Sequence, residues 1–296
     1  MENRIEVLKT YKIYIGGKFP RTESGRYYKP TNSNGEVLGN ICLSSRKDFR
    51  NAVVAARKAQ GDWAGRSAYN IGQIIYRIAE NLEGAKAQFV TLLMQEEGVS
   101  SAKAKEQVNQ AIDRLIYYAG WSDKFQQIFS GVNPVSSSHF NFSMLESTGV
   151  VACLSDSDSN FLALVSAISS VIVGGNTVVV LAGENTPLTA ITFAEIINNS
   201  DVPGGVINIL TGKLPELEEH FATHMDVNSI LYLGSDKKVI ESIKNKSAEN
   251  LKRVRVWDNK SILSSEFESP YSIKEFLEVK TTWHPIEQIG GASSGY

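Results

Sequence analysis

The stretch "VVACLSDSDSNFLALV", residues 150–165, decides how the chain is read. It opens as a short β-branched run suited to a buried strand and ends as an apolar run that begins a helical pattern. Between them lies an acidic, serine-rich turn without glycine. Strand, turn and buried helix in that order make the first half of a βαβ unit, and the alternation continues downstream. Strand candidates fall at 150–154, 177–181, 206–210, 229–233 and 253–257, with helical segments between them. Thr186 followed by Pro187 marks one helix start, a capping hydroxyl and then the residue best tolerated in a first turn. Such strands with helical crossovers predict a doubly wound parallel sheet, whose ligand crevice lies at the carboxyl ends of the strands. The acidic turn sits at that crevice.

Upstream the pattern is helical behind a short strand. "YKIYIGGKF" alternates before a Gly-Gly turn, and apolar stripes follow at Phe49, Val53, Ala56 and Ala59, at Ile71, Ile74, Ile78 and Leu82, and at Val108, Ile112, Leu115 and Ala119. These are read as packing surfaces only. After Trp257 the alternation stops. A polar stretch, an apparent strand "KEFLEVKTTW" and the tail "QIGGASSGY" remain, the last read as a flexible end from its composition.

Composition excludes several classes. Thirty Lys and Arg against 32 Asp and Glu give a net charge of −2, which offers no field for a nucleic acid. The start "MENRIEVLKTYK" lacks the apolar core of a secretion signal. The longest apolar stretch, 161–173, carries serines and falls short of the ~20 residues that a membrane span needs. Cys42 and Cys153 make no disulfide framework or zinc site; both read as small core residues, in a reducing, cytoplasmic setting. His220 and His224 stand four apart beside Glu218 and Glu219 but have no third ligand, so no metal site is expected. Asp156 and Asp158 fall below a calcium shell.

At "GGNTVVVLAGENTPLTA", "DVPGGVINILTG" and "HMDVNSILYLGS" the chain strongly resembles the aldehyde dehydrogenase superfamily, with "YIGGKF", "YYAGW" and "LKRV" also matching, roughly over residues 11–256. It is most similar to the second, non-catalytic half of the two-part family-16 aldehyde dehydrogenases, on "SRKDFRNAVVAARKAQGDWAGRS" and "LEVKTTWHP". The resemblance implies an α/β fold: the Rossmann-like doubly wound parallel sheet of the family's cofactor domain, with N-terminal helices and a small β oligomerisation element. It places the cofactor-binding domain at 1–257, with a hairpin at about 126–147. A linker, a C-terminal oligomerisation strand at about 274–283 and a tail occupy 258–296.

The family's reaction needs an exposed thiolate, donors for an oxyanion and a carboxylate base. By resemblance, the family's oxyanion asparagine falls on Asp158, whose carboxylate would repel an oxyanion. The general-base glutamate falls on Trp257, with Asp258 and Asn259 following it, and an indole accepts no proton from water. Asp258, one residue along a strand, points the other way. The domain that carries the nucleophile is expected to be missing, because "EFLEVKTTW" follows Trp257 within a few tens of residues. No catalytic residue is therefore assigned. For the cofactor, Leu181 replaces the family's ribose-binding lysine and Glu218, beside Glu216 and Glu219, replaces a glycine. Glu184, Gly234 and Ser235 keep family positions. NAD or NADP is the implied cofactor, and the replaced positions argue against its binding.

The leading expectation is a catalytically deficient homologue acting as a structural or regulatory subunit. It would form a homodimer, or join a catalytic aldehyde dehydrogenase, through the hairpin and a C-terminal strand whose apolar "FLEV" would otherwise leave an open edge. The alternatives are an NAD(P)-dependent aldehyde oxidoreductase completed by a partner, and a nucleotide-sensing module.

Overall fold

A computed structural model describes residues 7–157, 159–258, 262–264 and 267–286. Asp158, Asn259 and the tail residues 288–296 lie outside the described residues. The chain opens with β1 (Thr10–Tyr11), β2 (Tyr27–Tyr28) and β3 (Asn40–Cys42), which form a small sheet in the order β1-β3-β2. Helices α1 (Arg46–Ala64), α2 (Ala68–Gly84), α3 (Lys86–Glu97), α4 (Ser101–Trp121) and α5 (Phe125–Phe129) follow. The expected stripes are buried on α1, α2 and α4, except Ala59, which is half-buried. The start of α1 is fixed by a capping box, in which Asp48 Oδ2 accepts from the Ser45 backbone N–H at 2.8 Å.

The main sheet holds β6 (Val150–Ser155), β7 (Thr177–Leu181), β8 (Ile207–Leu210), β9 (Ser229–Leu233) and β10 (Arg253–Trp257). All its pairs are parallel, in the order β10-β9-β6-β7-β8. Three of the expected strands have the bounds read from the sequence; β6 runs one residue longer and β8 starts one later. The first four are buried along their whole length, which is why they read as continuous apolar runs. The crossover helices are α6 (Phe161–Val173), α7 (Pro187–Asn198), α8 (Leu214–Thr223) and α9 (Lys237–Ala248). Every residue of α6 is buried, and its serines donate back to the helix: Ser166 Oγ to Leu162 O and Ser169 Oγ to Val165 O, both at 2.7 Å. Burial of each large apolar side chain here contributes about 1.5–3 kcal/mol. Among the described residues no helix is long and apolar enough to cross a membrane.

The glycine motifs serve close packing. A Cβ on Gly204 would lie 2.6 Å from Gly16 O, so the "YIGGKF" turn and the loop before β8 can meet only as glycines.

The hairpin and C-terminal strand expected from the resemblance have other bounds than those read from the sequence. The hairpin is β4 (Gly131–Asn133) with β5 (His139–Ser147), because residues 125–129 are helical. The C-terminal strand is β11 (Leu277–Pro285), preceded by the short helix α10 (Tyr271–Lys274). β11 pairs antiparallel with β5 of its own chain, from Leu277↔Ser147 to Pro285↔His139. "FLEV" is thus not left without a neighbour: the chain satisfies one side of this strand itself.

Candidate functional site

The carboxyl ends of β6, β7 and β9 converge on the turn after β6. Asp156 N donates to Leu233 O at 2.9 Å, and Ser159 Oγ donates to the same carbonyl at 2.8 Å. Ser157 N donates to Asp156 Oδ1 at 2.7 Å, and Thr186 Oγ1 to Ser159 O at 3.2 Å. Asn160 then caps α6, its Oδ1 accepting from Ala163 N at 2.9 Å. The acidic turn is therefore tied to the ends of β9 and β7 and hands the chain to α6. Thr186 is spent on Ser159, so the cap of α7 comes from elsewhere: Glu96 accepts from Leu188 N at 2.6 Å and Thr189 N at 2.9 Å. The sequence pointed to the Thr186 hydroxyl as that cap; a carboxylate 92 residues upstream supplies it instead.

Beside this turn lies a cavity of about 630 Å³, lined in part by Tyr28, Glu96, Glu97, Ser157, Asn160 and Glu184. Burial pushes the Glu96 carboxyl up to about 7, against the hydrogen bonds from Thr189 and Leu188 that pull it down. Burial also raises Glu97, and it raises the Tyr28 hydroxyl, helped by the charges of Glu184 and Glu96. Lys29 also lines the cavity, so three carboxylates meet one ammonium in its wall.

The expected cofactor positions are dispersed. Leu181 ends β7 fully buried, paired in register with Leu154 and Leu210, and offers no donor. Glu184 lines the acidic cavity. Gly234 leaves β9, and a Cβ there would lie 2.7 Å from the Tyr232 ring and 2.8 Å from Asp156 Cβ, so its glycine is required by packing whatever else it does. Ser235 is exposed. Glu218 lies on α8 within 3.6 Å of Lys246 Nζ, which also approaches Glu219 at 3.7 Å, and Glu216 meets Arg26 at 2.6 Å. The acidic face of α8 is thus largely paired off against cations of the chain. A carboxylate passed over in the sequence is Asp236, which caps α9 through Lys238 N at 2.8 Å and Val239 N at 3.4 Å. Its signal was local, an aspartate just before a helical run. A dinucleotide fits these residues in part: glycine and serine are in place at the β9 end, but the adjoining helix N-terminus already holds a carboxylate.

The positions tied to chemistry are closed. Trp257 is 5% exposed, packs edge-on against Phe267 and Phe276, and donates Nε1–H to Glu275 Oε2 at 2.8 Å. Cys153 is fully buried in β6, where desolvation pushes its thiol far above the range of a nucleophile, and Cys42 is buried as well. Asp158 lies outside the described residues. His220 is in α8, whereas His224 follows its end, accepts from Asp226 N at 3.2 Å and sits edge-on to Phe49. Among the described residues no group of three or more His, Cys, Asp or Glu could hold a metal ion.

Comparison with known proteins agrees with this geometry. Residues 13–256 match the aldehyde dehydrogenase family. The chain is 32% identical over 249 residues to the putative aldehyde dehydrogenase DhaS of Bacillus subtilis, covering 83% of this chain and 50% of that protein. It is 29% identical over 257 residues to the cytosolic 10-formyltetrahydrofolate dehydrogenase of Xenopus laevis, covering 85% of this chain and 28% of that one. The NAD+ complex of an aldehyde dehydrogenase from Bacillus cereus superposes with a TM-score of 0.79 at 26% identity, over 84% of this chain and 51% of that one. The chain thus spans half or less of the length of these relatives. A relative solved with NAD+ shares this fold, so the expectation that no cofactor binds gains no support from the comparison. The main sheet, its crevice and the family match all fall in one continuous stretch, and the chain belongs to the aldehyde dehydrogenase family.

Proposed function

We propose that this chain is a catalytically deficient aldehyde dehydrogenase homologue that serves as a structural or regulatory subunit, homo-oligomeric or joined to a catalytic aldehyde dehydrogenase. Trp257 carries the reading. Where the family resemblance puts a carboxylate base, this chain has a buried indole whose only polar atom is committed to Glu275. Two observations support it: both thiols are buried, and only residues 258–276 separate β10 from β11. The reducing cytoplasm suits two buried free thiols. The test is nicotinamide reduction with a panel of aldehydes, by the chain alone and mixed with a full-length catalytic relative. No turnover by the chain alone is expected, from the wild type or from Asp158→Asn; turnover by the chain alone refutes the reading, and turnover that survives Cys42→Ser and Cys153→Ser refutes any role for these thiols.

A second reading, dinucleotide binding with or without catalysis completed by a partner, is favoured by the retained Gly234 and Ser235 and by the NAD+ complex of the Bacillus cereus relative. Gly234 N donates to Trp257 O at 3.0 Å, so a dinucleotide at the β9 end would perturb tryptophan fluorescence. Titration with NAD and NADP decides it, and an unchanged signal at millimolar ligand removes it.

A further inference from the structure

Alternation along β10 packs Val254 and Val256 into the core that holds Leu217, Phe221 and Ile243, and turns Arg253, Arg255 and Trp257 to the opposite face. Two of those three side chains have their polar groups met. Trp257 donates to Glu275, and Arg253 is clasped by β11: its Nη1 donates to Leu277 O at 2.6 Å, and its Nη2 meets Glu278 Oε1 at 2.8 Å. Arg255 is different. Its Nε is buried with no acceptor, and among the described residues no carboxylate or carbonyl meets its guanidinium. Carrying that charge into a half-buried place is costly, and a hydrogen bond to an ionised acceptor is what offsets the cost.

Arg255 lines a groove of about 520 Å³ between β10, α10 and β11. Leu145 and Leu277, both buried, give the groove apolar surface, and Tyr271 and Val279, 65% and 63% exposed, extend it outward. Lys274 lines it beside Arg255; its ammonium lies 4.9 Å from the centre of the Phe129 ring, and among the described residues it meets no carboxylate.

We propose that this groove binds a small organic monocarboxylate, its charged end held by Arg255 and Lys274 and its apolar body lying along Leu145, Leu277 and Val279. The chemistry of the groove selects this class. An unpaired guanidinium calls for an anion, and its planar fork matches the two oxygens of a carboxylate. Arg253, Arg255 and Lys274 are opposed in the groove by Glu275 and Glu278, so a single positive charge is left over. That balance suits a monoanion and disfavours a doubly charged phosphate, which the two carboxylates repel. The apolar surface rewards a ligand that has a body to cover it, which an inorganic anion lacks. The groove shares no lining residue with the acidic cavity beside the turn after β6. It is also independent of the subunit reading: aldehyde turnover by the chain alone would overturn that reading and leave this site intact.

Isothermal titration calorimetry of the full chain with octanoate tests the proposal. Saturable binding is expected for octanoate. Octylammonium, which reverses the charge, acetate, which lacks the body, and inorganic phosphate should all bind more weakly. Arg255→Met removes a guanidinium that no other group holds, so the circular dichroism spectrum and the urea midpoint should stay as they are, while octanoate affinity should fall about tenfold. Val279→Asp places a carboxylate on an exposed wall of the groove, so it too should fold, and it should weaken octanoate by a similar factor. No saturable octanoate binding, octylammonium or phosphate binding as tightly as octanoate, or an affinity that either substitution leaves unchanged overturns the proposal.

Discussion

Replacing Glu96 by glutamine should change how the stability of the chain responds to pH, because Glu96 is a half-buried carboxyl in an acidic wall that also caps α7. Burial holds it at about 7, against an ordinary value of 4.5. The folded chain therefore keeps a proton that the unfolded chain releases between those values. The stabilisation is fully present below about pH 4.5, declines as pH rises and is gone above about 7. At ~1.36 kcal/mol per pH unit, the interval from 4.5 to 7 corresponds to roughly 3 kcal/mol. Glutamine keeps an oxygen for the Leu188 and Thr189 donors and does not titrate. Urea unfolding of the wild type and Glu96→Gln, at steps from pH 4.5 to 8, isolates this one group from the other carboxyls. The variant should gain on the wild type by about 3 kcal/mol across the range. A constant difference, or a wild type that gains on the variant as pH rises, would mean that the three donors from Leu188 and Thr189 outweigh burial, and would refute the reasoning.

Trp257→Phe keeps the ring contacts with Phe267 and Phe276 but removes the donor to Glu275; chemical denaturation should show a loss of about 1–2 kcal/mol. Asn176→Ala breaks three buried bonds, with Gly149 N, Val171 O and Phe276 O, which join the start of β6 to the segment before β11; a loss of about 2–4 kcal/mol is expected in the same measurement. Neither Cys42 nor Cys153 should react with a thiol reagent in the folded chain at pH 8, and both should titrate in denaturant. Asp236→Ser keeps a cap on α9 but removes its charge, so any NAD affinity measured by fluorescence should rise several-fold.

The main sheet was legible because each of its central strands is buried on both faces, which turns a strand into an uninterrupted apolar run with a glycine or polar residue at its end. α3 was not: Ala85 alone separates it from α2, and its buried Phe89, Leu92 and Leu93 continue the helical spacing without a break. The hairpin was read too early because "FQQIF" is as compatible with a strand as with the α5 turn that it forms. At the site, the missing donor at Leu181 and the missing base at Trp257 followed from residue type alone, whereas their burial is seen only in the fold. Glu96 could not be read, since its role is a contact across the whole α3-to-α7 separation.

The resulting crevice has a property that no single residue predicts. Helix N-termini at the carboxyl ends of parallel strands are the usual anion sites of a doubly wound sheet. Here three of them are filled by the chain's own side chains: α6 by Asn160 and Gln107, α7 by Glu96, and α9 by Asp236. Two of the four filling side chains are carboxylic acids, occupying the place a phosphate would take. A nucleotide at α9 must therefore displace Asp236 from two backbone donors, and in exchange offers only what Gly234 and Ser235 can contribute. If NAD affinity rises in Asp236→Ser, the crevice keeps the family's cofactor geometry behind an internal stopper. If it does not, the substitution at Leu181 is the deeper change, because a buried leucine cannot be exchanged for a ribose-binding lysine without opening the sheet around it.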